Sequence, residues 1–402
     1  MRQFAPAAVQ TIEQRNCLST TWWAVVSRFL LHGLIVSTWV SCIPAVQSSL
    51  KLTNARLGLC LLGTAIGSVL AIPITGWLVT RYGSKRVAAW STLGFSIALA
   101  APSLAGNAAL LFAALLLFGA MAGANDVSIN AQGVAVERAM AAPTMSRFHA
   151  MFSIGGMIGA SVGGLVAAHK VSPCAHMGAA SALFLVISLL TGPFLFDARD
   201  NRSRVSRERR LRAIPMALVT LAAIGFCMFL SEGAIADWTG VYLKQSLSAG
   251  PGLAATGYAV FSTGMAVFRL LGDNLTARLG PVRTLRAGAL LAAAGLCTAL
   301  LAASPMAALP GFALTGAGFS VIVPLVFGAG GRIKSFPSGA GVALVSGSGY
   351  IGFLFGPPLI GFIAQHSSLR FALCILAVLS LFTAALANAV RGATPHDDVT
   401  PV

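Results

Sequence analysis

Apolar positions in this chain do not alternate with a short period. They run in twelve long blocks separated by short clusters of polar and basic residues, at 22–46, 56–79, 87–105, 108–136, 148–168, 175–196, 214–243, 252–275, 284–303, 306–331, 339–365 and 370–390. A helix crossing a bilayer needs about 20 mainly apolar residues, because its backbone polar groups must be satisfied within the segment. Each block is that long or nearly so, and the pattern predicts an all-α membrane protein with twelve transmembrane helices. Residues 1–21 carry Glu13 and Arg15 and hold no apolar core before a small-residue cleavage site. The first span is therefore expected to act as an uncleaved insertion signal.

The one long polar stretch, DARDNRSRVSRERRLRA at 197–213, divides the blocks into two sets of six. Sliding one set along the other by a single offset of 197 aligns Arg81, Gly83 and Arg86 with Arg278, Gly280 and Arg283. The same offset aligns Gly67 with Gly264, Gly119 with Gly316, and Gly155, Gly159 and Gly164 with Gly352, Gly356 and Gly361. The expected organisation is an N-terminal tail (1–21), a six-helix half (22–196), a basic linker (197–213), a second six-helix half (214–391) and a C-terminal tail (392–402).

Composition agrees with the pattern. Hydrophobic residues make up 56% of the 402 and charged residues only 9%, against about 25% charged in soluble domains. The net charge of +16 does not point to nucleic acid, whose partners gather basic residues on a solvated face. Instead the basic residues fall in alternate loops. Arg2, Arg15, Arg81, Lys85, Arg86, Arg138, Arg147, the linker arginines, Arg278, Arg283, Arg286, Arg332, Lys334 and Arg391 lie on one side, and Lys51, Arg56, Lys170, Lys244 and Arg370 on the other. The richer side is expected to be cytoplasmic, and with it both termini. Seven scattered cysteines show no disulfide or metal spacing. No GxxxxGK[ST] loop is present for an ATP-driven pump, and no nucleophile and base stand out for an enzyme. The partners expected are the bilayer and a small solute, with no cofactor, and the chain is expected to act as a monomer.

An ionisable group inside a span is costly and is by default a candidate functional residue. Asp126, Asn130, Gly133 and Glu137 share one helix face in the fourth span, with Asn125 and Gln132 beside it. At the repeat offset Asp126 and Asn130 correspond to Val323 and Phe327, so the shared six-helix unit does not require polarity there. Asp126, Asn130 and Gln132 are the candidate solute-binding set, and Asp126 is also a candidate proton carrier. A tether from Asp126 to Arg28 is the alternative. Glu232, near mid-depth in the seventh span, is the first candidate for a coupling proton, with His149 and His32 as helpers. Asp237 and Trp238 follow it toward the outside, where Trp238 either stacks on a ring or anchors the interface. Trp39 and Tyr350 are candidate cavity-lining residues. Arg269 and Asp273, at i and i+4, are expected to pair as a clamp.

Two parallel six-helix halves joined by a basic linker resemble the major facilitator superfamily of secondary transporters, in which the halves rock about a central site. Gly76, Arg81, Gly83, Lys85 and Arg86 match its loop signature GxxxDRxGRR, with Thr80 in place of the usual Asp. The runs 123–137, 145–156, 232–243 and 349–361 are similar to a bacterial inner-membrane subgroup of MosC-like proteins, distantly similar to fucose permeases. The resemblance implies that Gly76 and Arg81, with Gly83 and Arg86, help lock the cytoplasmic side when the transporter faces outward. It also implies alternating access with proton symport of a sugar, polyol or amine-like solute. Drug/proton antiporters of the superfamily carry a Pro beside the glycines of span five, and here there is none. An exporting antiporter and a ligand sensor that does not transport remain as alternatives.

Overall fold

The computed structural model describes residues 12–140, 144–196, 214–333, 336 and 338–391. The linker 197–213 and most of both expected tails lie outside the described residues. Thirteen α-helices are present among them: α1 (Ile12–Ser49), α2 (Asn54–Tyr82), α3 (Ser84–Ala98), α4 (Ala108–Met140), α5 (Met145–Ala168), α6 (Pro173–Thr191), α7 (Met216–Ser246), α8 (Pro251–Leu279), α9 (Pro281–Leu301), α10 (Pro305–Phe319), α11 (Ile322–Gly331), α12 (Ser338–His366) and α13 (Leu369–Ala385). They supply 12 spans long and apolar enough to cross a membrane, one on each predicted block.

The tenth span is made of two helices. α10 stops and α11 starts around Ser320 and Val321, four and three residues before Pro324. A proline has no N–H to give to the carbonyl four residues back, and its ring crowds that carbonyl. The chain therefore breaks there and restarts.

Both halves are built by the same contacts. In the first, α1 packs on α5, α2 on α4, and α3 on α4 and α6; in the second, α7 packs on α12, α8 on α10, and α9 on α10 and α13. Glycines explain why the repeat keeps them. A Cβ at Gly67 would run into the Leu116 carbonyl and one at Gly264 into the Ala313 carbonyl, while Gly119 sits on the Thr64 carbonyl and Gly316 on the Phe261 carbonyl. Each pair of contacts repeats at the 197 offset. Gly83 and Gly280 have another reason. Their φ angles of 85° and 77° place both in a region open essentially to glycine alone. Each joins two spans through a turn with no loop residue to spare.

The halves meet along α5 with α8 and α2 with α12, two interfaces that the repeat also relates. The first and last described residues, Ile12 and Arg391, lie on one side of the bundle, here the near side. On the opposite, far side the seam is tight. A Cβ at Gly164 would come within 3.0 Å of the Gly252 carbonyl, and one at Gly58 within 2.6 Å of the Pro357 carbonyl. Lys244 of α7 donates to the Pro44 carbonyl (3.0 Å) and Ser48 Oγ (2.6 Å) of α1, and Gln245 donates to Gln47 (3.1 Å). Large apolar side chains such as Leu70, Ile74, Phe355, Phe362 and Val378 are exposed around the outside, as a lipid-facing surface requires.

Candidate functional site at the seam

Gly119 and Gly123 bring α4 against α2, where they rest on Thr64 and Ser68. Seven residues on, the same stripe of α4 carries Asp126 and Asn130, and here the partner is in the other half. Tyr350 of α12 donates to Asp126 Oδ2 at 2.9 Å. Asn130 Nδ2 donates to Asp126 Oδ1 at 3.0 Å and to the Asp126 carbonyl at 2.8 Å. Asn130 thus orients the carboxylate from one side and Tyr350 holds it from across the seam. A carboxylate offers about four acceptor positions, so two hydrogen bonds leave room for a solute.

Tyr350 opens onto a group of rings in the second half. Phe229 of α7 lies 6.1 Å from Tyr350, 6.1 Å from Phe327 of α11 and 5.1 Å from Phe353 of α12, centroid to centroid. All four rings are half-buried.

The second polar group at the seam joins three helices. Arg269 of α8 stands 3.9 Å from Glu232 of α7, in the same half, and donates to Ser153 Oγ (2.8 Å) and the His149 carbonyl (3.4 Å) of α5, in the other. The side chains of Arg269 and Glu232 are 12% and 19% exposed, which leaves the carboxylate reachable by water. The expected clamp between Arg269 and Asp273 is corrected here. Asp273 is exposed and takes part in no ion pair among the described residues, because the arginine gains more from a sheltered carboxylate and two further acceptors than from an exposed carboxylate on its own helix.

Other polar candidates are used up inside the first half. Gln132 is fully buried; its amide nitrogen donates to Ser84 Oγ (2.8 Å) and the Phe196 carbonyl (2.9 Å), and its oxygen accepts from the Phe196 N–H (2.8 Å). It ties α4 to α3 and to the end of the sixth span, and its buried amide spends both N–H groups there. Asn125 accepts from Thr92 Oγ1 (2.6 Å) and Ser91 Oγ (3.3 Å) and donates to His32 Nδ1 (2.9 Å). With its oxygen so occupied, the amide nitrogen faces His32, whose Nδ1 must then be an acceptor. Glu137 accepts from the N–H groups of Thr144 (2.7 Å) and Met145 (2.9 Å) and caps α5. Arg28 gives its hydrogen bond to the Ser188 carbonyl (2.8 Å), so the alternative tether from Asp126 to Arg28 is not formed.

Trp39 is 2% exposed, with its ring 6.4 Å from Phe118 in the core of the first half. It packs and does not line a cavity. Trp238 is fully buried beside Gly361, in the far-side closure. His149 lies against Phe29 with its carbonyl on Arg269. Near the loop signature, a Cβ at Gly76 would have no neighbour within 4 Å. Arg81 lies over the rings of Trp77 and Tyr82 on its own helix. Neither residue joins the halves in this conformation. Arg86 and Lys85 start α3, outside any ion pair among the described residues.

Ser153 and the rings of Phe229, Phe327 and Phe353 were not distinguished in the sequence. A serine in a span and phenylalanines in apolar runs look like ordinary packing until the partner helix is known.

The sequence profile of the Major Facilitator Superfamily matches residues 24–333. An uncharacterized MFS-type transporter of Yersinia pestis is 37% identical over 366 residues, which span 90% of this chain and 94% of the relative. Membrane protein MosC of Rhizobium meliloti is 31% identical over 90% of this chain and 88% of its own. The crystal structure of the transporter FucP, in the outward conformation, superposes with a TM-score of 0.64 at 19% identity, over 93% of this chain and 98% of that one. Twelve spans, two repeated halves and a matching profile over most of the length make this chain a multi-pass membrane transporter of the Major Facilitator Superfamily.

Proposed function

We propose that the chain is a proton-coupled symporter of a small polar organic solute, working by alternating access in a bacterial inner membrane with both termini in the cytoplasm. It needs no cofactor in this reading, the proton gradient being the driving force, and it works as a monomer. The observation that carries the proposal is the position of the two carboxylates. Asp126 and Glu232 lie near the middle of their helices at the seam between the halves, and each belongs to a cluster that crosses it.

The two clusters divide the work. Asp126, oriented by Asn130 and met by Tyr350, binds the solute. Glu232 carries the proton. While ionised it holds Arg269, which in turn holds Ser153 and the His149 carbonyl of the other half. When it takes a proton the ion pair is lost, the arginine is no longer fixed from its own side, and the link across the seam weakens. With the near side cytoplasmic, the closed far side makes this the inward-facing state. Gly76 and Arg81 then form their lock only in the opposite state.

Uptake into proteoliposomes tests this reading. An inward proton gradient should drive accumulation of the solute, and Glu232→Gln should abolish the gradient's effect while ligand binding persists. Uptake indifferent to pH would remove the proton from the mechanism. Solute efflux driven by proton entry would make the chain an exporting antiporter, and binding without flux would make it a sensor.

A further inference from the structure

At the seam Asp126 has no opposite charge beside it. Among the described residues the ion pair found inside the spans is Arg269 with Glu232. Arg28 is directed to the Ser188 carbonyl, and His32 Nδ1 accepts from Asn125. Asp126 has only the neutral donors Asn130 and Tyr350. Both of its oxygens accept hydrogen bonds. In a low-dielectric surrounding such a group gains strongly from a cation placed beside it.

Tyr350, which holds Asp126, is followed by the rings of Phe229, Phe327 and Phe353, which are electron-rich on their faces and offer, apart from the Tyr350 hydroxyl, no hydrogen bond. A polyol would leave most of its hydroxyls unpaired against such a wall. An organic anion would meet Asp126 directly. A cation is favoured by both features at once, by charge at Asp126 and by the quadrupole of the rings.

We infer that the solute is an organic cation, a protonated amine or quaternary ammonium whose charged nitrogen sits at Asp126 and whose apolar part lies on the Phe229, Phe327 and Phe353 rings. The inference rests on Asp126 being the solute site, and it narrows the class of solute. Asp126 then binds the cation while Glu232 separately carries the proton.

Binding of a matched set of probes to the purified full-length protein tests it: 2-phenylethylamine, the neutral 2-phenylethanol, the anionic 3-phenylpropanoate and the polyol myo-inositol. Calorimetry and thermal shift both apply, since a ligand of the native state raises apparent stability. The amine should bind about tenfold or more tightly than the alcohol, as a desolvated cation–π contact and an added charge imply. Asp126→Asn should remove that preference, Asp126→Glu should restore part of it, and Phe229→Leu should weaken the amine more than the alcohol. Equal binding of amine and alcohol, no binding of the amine, or a preference that survives in Asp126→Asn would overturn the inference. If myo-inositol binds instead and needs Asp126, the cation class falls while the transport site stands. Pairing each variant with its own unliganded melting temperature separates a lost site from a lost fold.

Discussion

Asn125 and Asp126 are neighbours on one helix, and so nearly are Asn130 and Gln132, yet the structure uses them in opposite ways. Asn125 and Gln132 turn into the first half and meet all their partners there: Thr92, Ser91 and His32 for one, Ser84 and Phe196 for the other. Asp126 and Asn130 turn toward the seam, and Asp126 is met from the opposite half by Tyr350. Depth in the membrane is much the same. What differs is whether a side chain's partners move with it or away from it when the halves part. A hydrogen bond inside one half survives such a motion and stabilises the half; a bond across the seam is made or broken by it. A polar residue in a span is therefore read by where its partners lie.

The largest effect that would sharpen this contrast belongs to Arg269. Removing one member of a sheltered ion pair leaves the other charge uncompensated, at a cost of about 3–5 kcal/mol. Arg269→Ala should lower the melting temperature strongly, and the double change Glu232→Gln with Arg269→Gln should recover most of the loss. If the double variant is as unstable as the single one, the arginine's bonds to Ser153 and His149 matter more than its charge partner.

A smaller effect belongs to Gln132. Gln132→Ala leaves the Phe196 N–H and carbonyl without their partner, a loss of about 1–3 kcal/mol for an unsatisfied buried group. Stability should fall while solute affinity per folded molecule stays unchanged. A clear loss of affinity at full folding would return Gln132 to the solute site and break the comparison.

The smallest effect is at Tyr350. Hydrogen bonds between membrane helices average about 0.6 kcal/mol, so Tyr350→Phe should barely change the melting temperature. Its mark should be on the balance between states, read as altered accessibility of a single cysteine introduced on the near side. No change in that balance would show that the Asp126–Tyr350 bond does not link the halves energetically.

The architecture was legible in the sequence because a bilayer imposes a length and a composition on every span. Each of the twelve predicted blocks became one span, and the 197-residue offset reappeared as equivalent contacts at Gly67 and Gly264 and at Gly119 and Gly316. The break at Ser320 and Val321 also has a local cause, since Pro324 can be seen in the sequence. The carboxylates were visible for the same reason, being expensive in lipid. Their partners were not. Arg269 has Asp273 four residues away on its own helix, and local spacing favoured that pair over Glu232, 37 positions earlier on α7. Trp39 and Gln132 looked available because a sequence does not say which face of a helix is already occupied.

The sequence by itself thus determined how many times the chain crosses the membrane, that its two halves repeat, and which few ionisable residues are left inside. Those are consequences of local chemistry, in which each backbone group and each charge meets the same apolar surroundings in any fold. Only the tertiary structure decided that Asp126 answers Tyr350, that Glu232 answers Arg269, and that Asn125 and Gln132 are spent within one half. Pairing depends on which helices lie side by side, and that is set by the close approaches the glycines permit along the whole bundle, which no short stretch of sequence contains.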